Sequence, residues 1–455
     1  MIEYRTLNPA TGQLVRRYET AGEEAVEQAL RDSWQAFQEY KNWSFEQRAE
    51  RLTAAAGLLQ ERASSLGALM AEEMGKPLAE GRAEAEKCAW VCRYFAQHGP
   101  SYLTPEERHS DAARSLVRYD PLGPVLAIMP WNFPFWQLFR FGAPALMAGN
   151  TILLKHAPNT PACALAIEEL LGQAGFPPGV VQNLFLSNRQ AADVIADGRV
   201  RGVTLTGSTG AGRQVAERAG SSLKPLVLEL GGSDPFIVFQ DADLQQAVEV
   251  GAAARCQNNG QSCIAAKRFL VQESVAERFC EGLCEAMRSR QMGDPLDEST
   301  AIGPLARQDL REKLHQQVED TLQAGAKLLC GGKVIRGKGF FYPPTVLSQV
   351  PAGSPAARQE LFGPVAALRT FKSEDDAVSM ANETAYGLGA SLWTSSLERA
   401  ERLIPLIEAG AVFVNSMVKS DPRLPFGGVK DSGFGRELSR EGIRAFVNAK
   451  TVWID

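Results

Sequence analysis

The sequence predicts an α/β protein with two doubly wound parallel sheets, and two observations support that prediction. Beyond Arg118, short apolar runs such as PVLAIMP, NTILLKH and PLVLEL alternate with helix-length segments. Strands that alternate with helices favour a parallel sheet covered by helices on both faces. A second series of this kind, which includes PFIVF, VAALRTF and GAVFVN, follows the glycine pair of LELGG. Two consecutive series predict two α/β domains that meet near this flexible turn.

Length and composition narrow the class of protein. A chain of 455 residues is too long for one ordinary core, so we expect two or three domains. Hydrophobic residues make up 45% of the chain and the net charge is -5, which is typical of a globular enzyme and lacks the basic field that attracts nucleic acid. The sequence starts without a signal-peptide pattern, and no apolar run approaches about 20 residues. We therefore expect a cytoplasmic protein without nucleic-acid or membrane partners.

The regions outside the two series carry further elements. Residues 23–97 show helical spacing of apolar residues, such as Val26, Leu30 and Phe37, with a stop at Gly75 and Pro77. The stretches RSLVRYDPLG and AKTVWID are strand-like and fit neither series. Since an unpaired strand edge favours association, we expect them to pair with each other or with another subunit, and we expect a homo-oligomer.

The cysteines predict one unusual site. The eight cysteines form no CxxC pair and the four histidines are scattered, so we expect neither a metal site nor a disulfide framework. Cys88 and Cys92 lie one helical turn apart and predict a buried helix face. Cys263 differs, because it follows Gly260 in NNGQSCIAAKRF, a loop of small residues whose backbone can approach a ligand closely. Cys263 is therefore the candidate nucleophile, against the general rule that cysteines are buried and inert.

Three other stretches place polar groups where strands end. Glu229 closes the apolar strand PLVLEL, at the end of the strand where α/β sheets bind ligands; the alternative is a capped or salt-bridged carboxylate. Asn132 lies between two prolines in PWNFP, which makes its amide a fixed hydrogen-bond donor. In TLTGSTGAGRQV, Gly207, Gly210 and Gly212 spell GxxGxG rather than GxGxxG. A helix N-terminus after such a turn can hold a phosphate.

In this order, these features resemble the aldehyde dehydrogenase superfamily, from NPATG at 8–12 to SGFGRE at 432–437. The matching stretches are PWNFP, LLKHAPNTP, TLTGS, LELGGSDPFIV, NNGQSCIAAKRF, QELFGPV and LPFGGVKDSGFGRE. The resemblance implies the aldehyde dehydrogenase fold, with two Rossmann-like domains and a small β oligomerisation element. It assigns residues 1–112 and 124–229 to cofactor binding, residues 230–425 to catalysis, and residues 113–123 and 426–455 to the oligomerisation element of a dimer or a dimer of dimers.

The resemblance also implies a mechanism. Cys263 attacks the aldehyde carbon, and the Asn132 amide meets the oxyanion together with the Cys263 backbone N–H. Hydride leaves to the nicotinamide, and Glu229 activates the water that hydrolyses the resulting thioester. Ala265 stands where some relatives carry a second cysteine, so we predict no redox switch beside the nucleophile. Cys256 is expected in a helix.

The cofactor contacts implied by the resemblance are Trp131, Lys155, Gly207, Ser208, Glu360 and Phe362. NAD-preferring members commonly carry a glutamate three residues beyond the lysine, whereas this chain has Pro158. No carboxylate repels a 2′-phosphate there, while Lys155 and His156 attract one. The sequence therefore favours NADP, with NAD accepted less well.

Within the superfamily, the sequence is most similar to succinate-semialdehyde dehydrogenases of the bacterial and cyanobacterial type, which implies a small semialdehyde substrate. Arg140 follows Asn132 by eight residues, about two helical turns, and is expected to pair with the substrate carboxylate. The resemblance adds Trp136 as a tunnel wall and Ser420 as a hydroxyl contact. The alternatives are a surface salt bridge for Arg140 and a turn for Ser420.

Three alternative functions stay open at this point. A broader-specificity or glutarate-semialdehyde enzyme differs only in the accepted chain length, and one methylene is worth only about 1–3 kcal/mol. A non-catalytic binding or structural protein does not need Cys263, Glu229 and Asn132 together. A CoA-acylating dehydrogenase does not need Glu229 as a hydrolytic base.

Overall fold

The computed structural model describes residues 3–455, and it begins with a hairpin and a layer of helices. These elements are β1 (Tyr4–Asn8), β2 (Gln13–Tyr18), α1 (Glu23–Tyr40), α2 (Phe45–Glu61), α3 (Ala63–Met74), α4 (Leu78–Leu103), β3 (Glu106–Arg108) and β4 (Arg114–Pro121). The predicted stop between α3 and α4 is confirmed, because Gly75 takes a left-handed φ of 79° and Pro77 precedes α4. The hairpin of β1 and β2 was not predicted.

The first α/β sheet is built from five parallel strands. Its elements are β5 (Pro124–Met129), α5 (Trp136–Ala148), β6 (Thr151–His156), α6 (Pro161–Gln173), β7 (Val181–Asn183), α7 (Asn188–Ala196), β8 (Gly202–Thr206), α8 (Thr209–Ser221) and β9 (Leu226–Glu229). The strands lie in the order β9-β8-β5-β6-β7. Every residue of β6 and β8 is buried, which explains why these strands are continuous apolar runs rather than alternating patterns.

The second α/β sheet follows directly. Its elements are β10 (Asp234–Val238), α9 (Leu244–Cys256), β11 (Ala266–Gln272), α10 (Ala276–Arg288), α11 (Gln308–Gln323), β12 (Lys327–Cys330), β13 (Thr345–Ser348), α12 (Pro355–Arg358), β14 (Val365–Phe371), α13 (Glu374–Asn382), β15 (Tyr386–Gly387), β16 (Gly389–Trp393), α14 (Leu397–Leu403) and β17 (Ala411–Val414). The strand order is β12-β13-β14-β11-β10-β16-β17, and β12 at the edge is antiparallel to its neighbour. The prediction of two doubly wound α/β sheets is confirmed.

The C-terminal elements join three different sheets. They are β18 (Val429–Lys430), β19 (Gly433–Phe434), α15 (Ser439–Arg444) and β20 (Val447–Ile454). β18 pairs with β15, β19 pairs with β9, and β20 pairs antiparallel with β4 along its whole length. The predicted pairing of the two strand-like stretches is thus confirmed within one chain. β18 and β15 form a separate two-stranded sheet, and β19 extends the first α/β sheet beside β9. The domain boundaries stay predictions.

The two α/β layers have separate apolar cores. One surrounds Phe95, Phe135 and Leu154, and the other surrounds Phe236 and Trp393, whose rings stack at 5.3 Å between centroids. Within the part of the chain that the structure describes, no helix is long and apolar enough to cross a membrane.

Candidate active site

Seven of the predicted site residues line a cleft at the carboxyl ends of the parallel strands. Strands β5, β8 and β9 end at this cleft, and the loop before β11 borders it. The cavity volume of the cleft is about 540 Å³. The lining includes Trp131, Asn132, Gly207, Ser208, Cys263, Glu360 and Phe362. This is the edge where open α/β sheets bind their ligands, so the structure brings seven predicted residues to one cleft.

The loop before Cys263 has an unusual and well-supported backbone. Asn258 and Asn259 take left-handed φ values of 54° and 57°, a conformation that asparagine tolerates better than most residues. The Asn259 amide donates to the carbonyl oxygens of Gly75 and Pro304 at 2.8 and 3.0 Å. The Asn258 amide donates to the Asn132 carbonyl at 2.7 Å. These bonds fix the nucleophile loop to α3 and to the turn after β5.

Donors for an oxyanion lie beside the sulfur. Asn132 donates one amide hydrogen to the Gln261 carbonyl at 3.0 Å, which leaves the second amide hydrogen for a ligand. Lys267 donates to the Cys263 carbonyl oxygen at 2.7 Å. Among residues 3–455, the Cys263 backbone N–H has no acceptor. The local geometry therefore fixes the carbonyl of Cys263 and leaves its N–H available.

The electrostatics of Cys263 keep it protonated before substrate enters. Burial raises the pKa of the Cys263 thiol to about 12, and the nearby charges of Arg140 and Lys267 oppose that rise. A thiolate is the reactive form of cysteine. Attack therefore requires that a base take the thiol proton as the bond to carbon forms.

Glu229 is a buried carboxyl group without a structural role. It ends β9, it is 2% exposed, and neither of its carboxyl oxygens has a hydrogen-bond partner among the described residues. Burial raises its pKa well above the usual range, and Arg140 opposes that shift. A buried carboxyl group without partners costs stability, so its retention at the end of β9 favours a functional rather than a structural role for Glu229.

The cofactor side of the cleft contains preformed contacts. Trp131 and Phe362 meet edge to face with 5.7 Å between ring centroids. Glu360 accepts the Gly232 N–H at 3.0 Å, and Ser208 caps α8 by accepting the Ala211 N–H at 3.3 Å. These contacts hold the walls of the cleft in place.

Lys155 fits a role in binding an anionic cofactor. It lies near the carboxyl end of β6, paired in register with Ile128 of β5. Burial lowers the pKa of its amine to about 8, and it forms no salt bridge within the described chain. An amine that is buried without a counterion favours a ligand that supplies negative charge.

His156 corrects one sequence prediction. Its ring Nε2 contacts the Pro134 carbonyl oxygen at 2.9 Å, and its Nδ1 accepts the Ala157 N–H at 2.9 Å. Burial lowers its pKa to about 4, so the ring is neutral and both nitrogens are in use. The prediction that His156 attracts a 2′-phosphate is wrong. Pro158 follows in the turn, where its carbonyl accepts the Arg5 N–H at 2.9 Å.

Arg140 is buried rather than on the surface. Its guanidinium is ion-paired through Nε with Glu437, lies 4.4 Å from the Phe426 ring centroid, and donates through Nη2 to the Thr206 hydroxyl at 3.4 Å. The alternative of a surface salt bridge is therefore excluded. The expected pairing with a substrate carboxylate stays a prediction, because Nη1 donates to no acceptor among the described residues.

Trp136 and Ser420 do come together, around a lysine that the sequence analysis missed. The Lys87 ammonium donates to the Ser420 hydroxyl oxygen at 2.9 Å and lies 4.3 Å from the Trp136 ring centroid. All three residues border the buried region near the start of α5. The predicted substrate end of the site therefore contains a second cation, Lys87, close enough to Arg140 for the guanidinium charge to lower the pKa of the Lys87 amine.

Comparison with known proteins decides the family. Residues 2–452 match the model of the aldehyde dehydrogenase family. This chain belongs to the aldehyde dehydrogenase family. It is 52% identical over 449 residues to a probable succinate-semialdehyde dehydrogenase (NADP+) of Synechocystis sp., with 99% of each chain covered. It is 48% identical to a succinate-semialdehyde dehydrogenase (NADP+) of Mycobacterium avium, with 99% of this chain and 96% of the relative covered.

A solved structure extends the likeness to three dimensions. The succinic semialdehyde dehydrogenase from Streptococcus pyogenes in complex with NADP+ superimposes with a TM-score of 0.97 at 36% identity, with 99% of both chains covered. The fold class predicted for this aldehyde dehydrogenase is thereby confirmed.

Two functional candidates were missed for the same reason in this aldehyde dehydrogenase. Lys267 lies in the stretch NNGQSCIAAKRF and is the second residue of β11. Alternation along a strand does not predict that its amine donates to the Cys263 carbonyl oxygen. Lys87 lies one position before buried Cys88 on α4, where a lysine is usually solvated. The only sequence signal for Lys87 is its position next to a helix face that carries Glu84 and Cys88, both of which are buried in the structure.

Proposed function

We propose that this aldehyde dehydrogenase oxidises succinate semialdehyde to succinate, with NADP preferred over NAD. The observation that carries the proposal is the partly buried Cys263 at a cleft that Asn132 also lines, with the buried, unpartnered carboxyl group of Glu229 directly before Leu230 of the cleft wall. The names of the Synechocystis and Mycobacterium relatives support the choice of substrate. A CoA-acylating or non-catalytic role does not account for Glu229.

The first step is attack on the aldehyde. The Cys263 sulfur bonds to the carbonyl carbon, its proton passes to a base, and the carbonyl oxygen becomes an oxyanion. Two donors meet that oxygen, the second amide hydrogen of Asn132 and the Cys263 N–H. Preorganised donors of this kind each lower the barrier by about 3–4 kcal/mol.

NADP, when bound, accepts the hydride that leaves the former aldehyde carbon. Lys155 would hold the adenosine part of the cofactor, and Gly207 and Ser208 would hold its diphosphate. Glu360 would hold the nicotinamide end together with Phe362 and Trp131, whose rings are in contact. Lys155 supplies the positive charge for a 2′-phosphate without help from His156. Pro158 leaves no carboxylate to repel that phosphate.

Glu229 completes the reaction. Its carboxylate takes a proton from water, the water oxygen attacks the thioester carbon, and the bond to the Cys263 sulfur breaks. One aldehyde and one water yield one carboxylic acid, one hydride that passes to the cofactor, and one proton that is released to solvent. The absence of hydrogen-bond partners at Glu229 keeps its oxygens free for that water.

Assembly and location belong to the same proposal. The edge strand β20 leaves Trp453 and Ile454 exposed, which supports a homo-oligomer because exposed edges favour pairing. We retain the expected domain assignment, with the first α/β sheet binding cofactor and the second providing catalysis, in a cytoplasmic enzyme. Light scattering on the purified protein measures the oligomeric mass.

The test is a comparison of two aldehydes and two cofactors. Initial rates of reduced-nicotinamide formation are measured with succinate semialdehyde or butyraldehyde, each with NADP or NAD. We expect kcat/KM to be at least tenfold higher for the acid substrate, since a charge-assisted bond contributes about 1.5–3 kcal/mol. Equal values for both aldehydes would exclude the semialdehyde, and a higher kcat/KM with NAD would exclude the cofactor preference.

A further inference from the structure

Three free thiols lie together at the edge of the second α/β sheet, outside the active-site cleft. Cys280 and Cys284 lie one turn apart on α10, and Cys330 ends β12, the edge strand of that sheet. Cys284 and Cys330 belong to the apolar cluster around Phe236, and Cys280 packs against it. None of the three lines the cleft. The proposed oxidation of an aldehyde therefore gives this thiol cluster no role.

The contacts between α10 and β12 hold two of these thiols against each other. Arg288, one turn after Cys284, donates through Nη2 to the Leu329 carbonyl oxygen at 2.7 Å. That bond fixes the helix face of Cys284 beside the residue before Cys330. The Cys284 thiol donates a hydrogen bond to the Cys330 sulfur, which also lies 3.9 Å from the Pro344 carbonyl oxygen. Two sulfurs in contact on facing elements meet the first geometric requirement of a disulfide.

The surroundings make Cys330 the more acidic thiol of the pair. The hydrogen bond from Cys284 and the Arg288 charge lower the pKa of Cys330, against the effect of burial. The same hydrogen bond and burial raise the pKa of Cys284. Every other cysteine of the chain has a raised pKa, with Cys263 at about 12. Since the thiolate is the reactive form of cysteine, Cys330 is the thiol most open to oxidation in the free enzyme.

A small oxidant reaches this pair more readily than the deeper cysteines. Cys284 and Cys330 are each 7% exposed, whereas Cys88, Cys92 and Cys163 are fully buried. The side of β12 away from β13 is not covered by another strand. Access for the oxidant and a second thiol nearby are the features that redox-sensitive cysteines share.

We propose that Cys330 and Cys284 form a redox-active pair, in which a hydroperoxide oxidises Cys330 and Cys284 then closes a reversible disulfide. The disulfide joins α10 to the end of the edge strand β12. This modification site is independent of aldehyde oxidation, because neither cysteine lines the cleft. It is also separate from a switch at the nucleophile, where Ala265 replaces the second cysteine.

The reaction runs in two balanced steps. The Cys330 thiolate attacks one oxygen of hydrogen peroxide, the O–O bond breaks, and hydroxide leaves with the proton that Cys330 had lost, so that water and a sulfenic acid form. The Cys284 sulfur then attacks the Cys330 sulfur, the S–O bond breaks, and the departing hydroxide takes the Cys284 proton as a second water. Two thiols and one peroxide yield one disulfide and two waters. A dithiol reductant restores both thiols.

The experiment maps disulfides in the purified enzyme after mild treatment with hydrogen peroxide. The remaining thiols are alkylated, and trypsin digestion without reductant is followed by mass spectrometry. We expect a linked species of LLCGGK (328–333) and FCEGLCEAMR (279–288) that is two hydrogens lighter than the sum of its parts. Dithiothreitol abolishes it. Fragment ions that separate Cys280 from Cys284 assign the link to Cys284 without any substitution.

Three serine variants test each thiol in turn. Cys284→Ser and Cys330→Ser lower the yield of the linked species at least about tenfold, because one partner is missing, while the matched control Cys280→Ser keeps it. Dimedone, which labels sulfenic acids, marks Cys330 in Cys284→Ser and leaves Cys284 unmarked in Cys330→Ser. Without peroxide, all three variants keep the wild-type kcat, since none of these residues lines the cleft.

Other results overturn the proposal. A link through Cys280 excludes Cys284 as the resolving thiol, and dimedone on Cys284 in Cys330→Ser excludes Cys330 as the thiol that attacks peroxide. If no link forms at peroxide concentrations that already inactivate the enzyme, Cys263 is oxidised first and the pair is not a redox site. Each of these results leaves the proposed function intact, because aldehyde oxidation is measured without peroxide.

Discussion

Glu229 and Glu437 are two buried carboxyl groups, and the charge of Arg140 opposes the rise in pKa that burial causes in each of them, but only one of them forms an ion pair with that arginine. Glu437 is ion-paired with Arg140, whereas Glu229 has no hydrogen-bond partner within the described chain. Burial raises the pKa of both groups. Pairing turns one carboxyl group into part of the scaffold, and the lack of pairing leaves the other reactive. The same contrast separates Arg140, which is paired, from Lys87, which is not.

The largest effect on kcat is expected for the nucleophile, Cys263. Replacing the nucleophile in Cys263→Ala removes the bond-forming atom, and we expect kcat to fall by at least about 10⁴-fold, as for other covalent nucleophiles. The control is Cys256→Ala, because Cys256 is also a free cysteine and is more deeply buried than Cys263, but it ends α9 and does not line the cleft. Steady-state rates with succinate semialdehyde measure both. Comparable losses in the two variants would mean that packing, rather than Cys263 chemistry, limits the activity.

Glu229→Gln tests the unpartnered carboxyl group with a smaller expected effect. The amide cannot accept a proton from water, so we expect steady-state kcat to fall about 10²- to 10⁴-fold. The first turnover reaches the thioester without the hydrolytic base, so a burst of about one reduced cofactor per active site precedes the slow phase. Stopped-flow absorbance measures that burst. Its absence would place Glu229 in the attack step, as the base that takes the thiol proton.

The ion pair between Arg140 and Glu437 is tested through the free energy of unfolding. Arg140→Met leaves Glu437 buried without a counterion, and we expect a loss of about 3–5 kcal/mol in the free energy of unfolding. The double variant Arg140→Met/Glu437→Leu removes both charges and recovers most of that loss. Urea unfolding monitored by fluorescence measures both values. A single variant that loses less than about 1 kcal/mol would show that the pair contributes little to the scaffold.

Much of the fold could be predicted from local sequence patterns. Apolar runs gave the strands of both sheets, and the pairing of β4 with β20 followed from two stretches that fitted neither series. Cys263, Glu229 and Asn132 were found because strand ends and glycine-rich or proline-rich turns place polar groups at the ligand edge. All three reached the same cleft or its buried wall, although their catalytic roles stay predictions.

Charge compensation could not be predicted in the same way. Arg140 meets Glu437 across 297 residues of sequence, and Lys87 meets Ser420 across 333. Arg140 lies on the helix expected after Asn132, although that helix begins only at Trp136. Sequence spacing carries no information about a counterion from a distant segment. The prediction for His156 was wrong for a related reason, because its burial against the Pro134 carbonyl depends on how the end of β6 meets the turn after β5. A buried charge can be assigned a role only when its partners are known.

The smallest expected effect concerns Lys155, the unpaired cation on the cofactor side. Its pKa is lowered to about 8 by burial, so in the free enzyme its charge is present below that pH and is lost above it. A 2′-phosphate is attracted only by the charged amine, so we expect KM for NADP to rise up to about tenfold from about pH 7 to pH 9, while KM for NAD changes less. Lys155→Met removes the titrating group, and its ratio of KM values for NADP and NAD is then independent of pH. If the wild-type ratio is also flat over this range, the charge on Lys155 does not select the 2′-phosphate, and the missing carboxylate at Pro158 alone accounts for any preference.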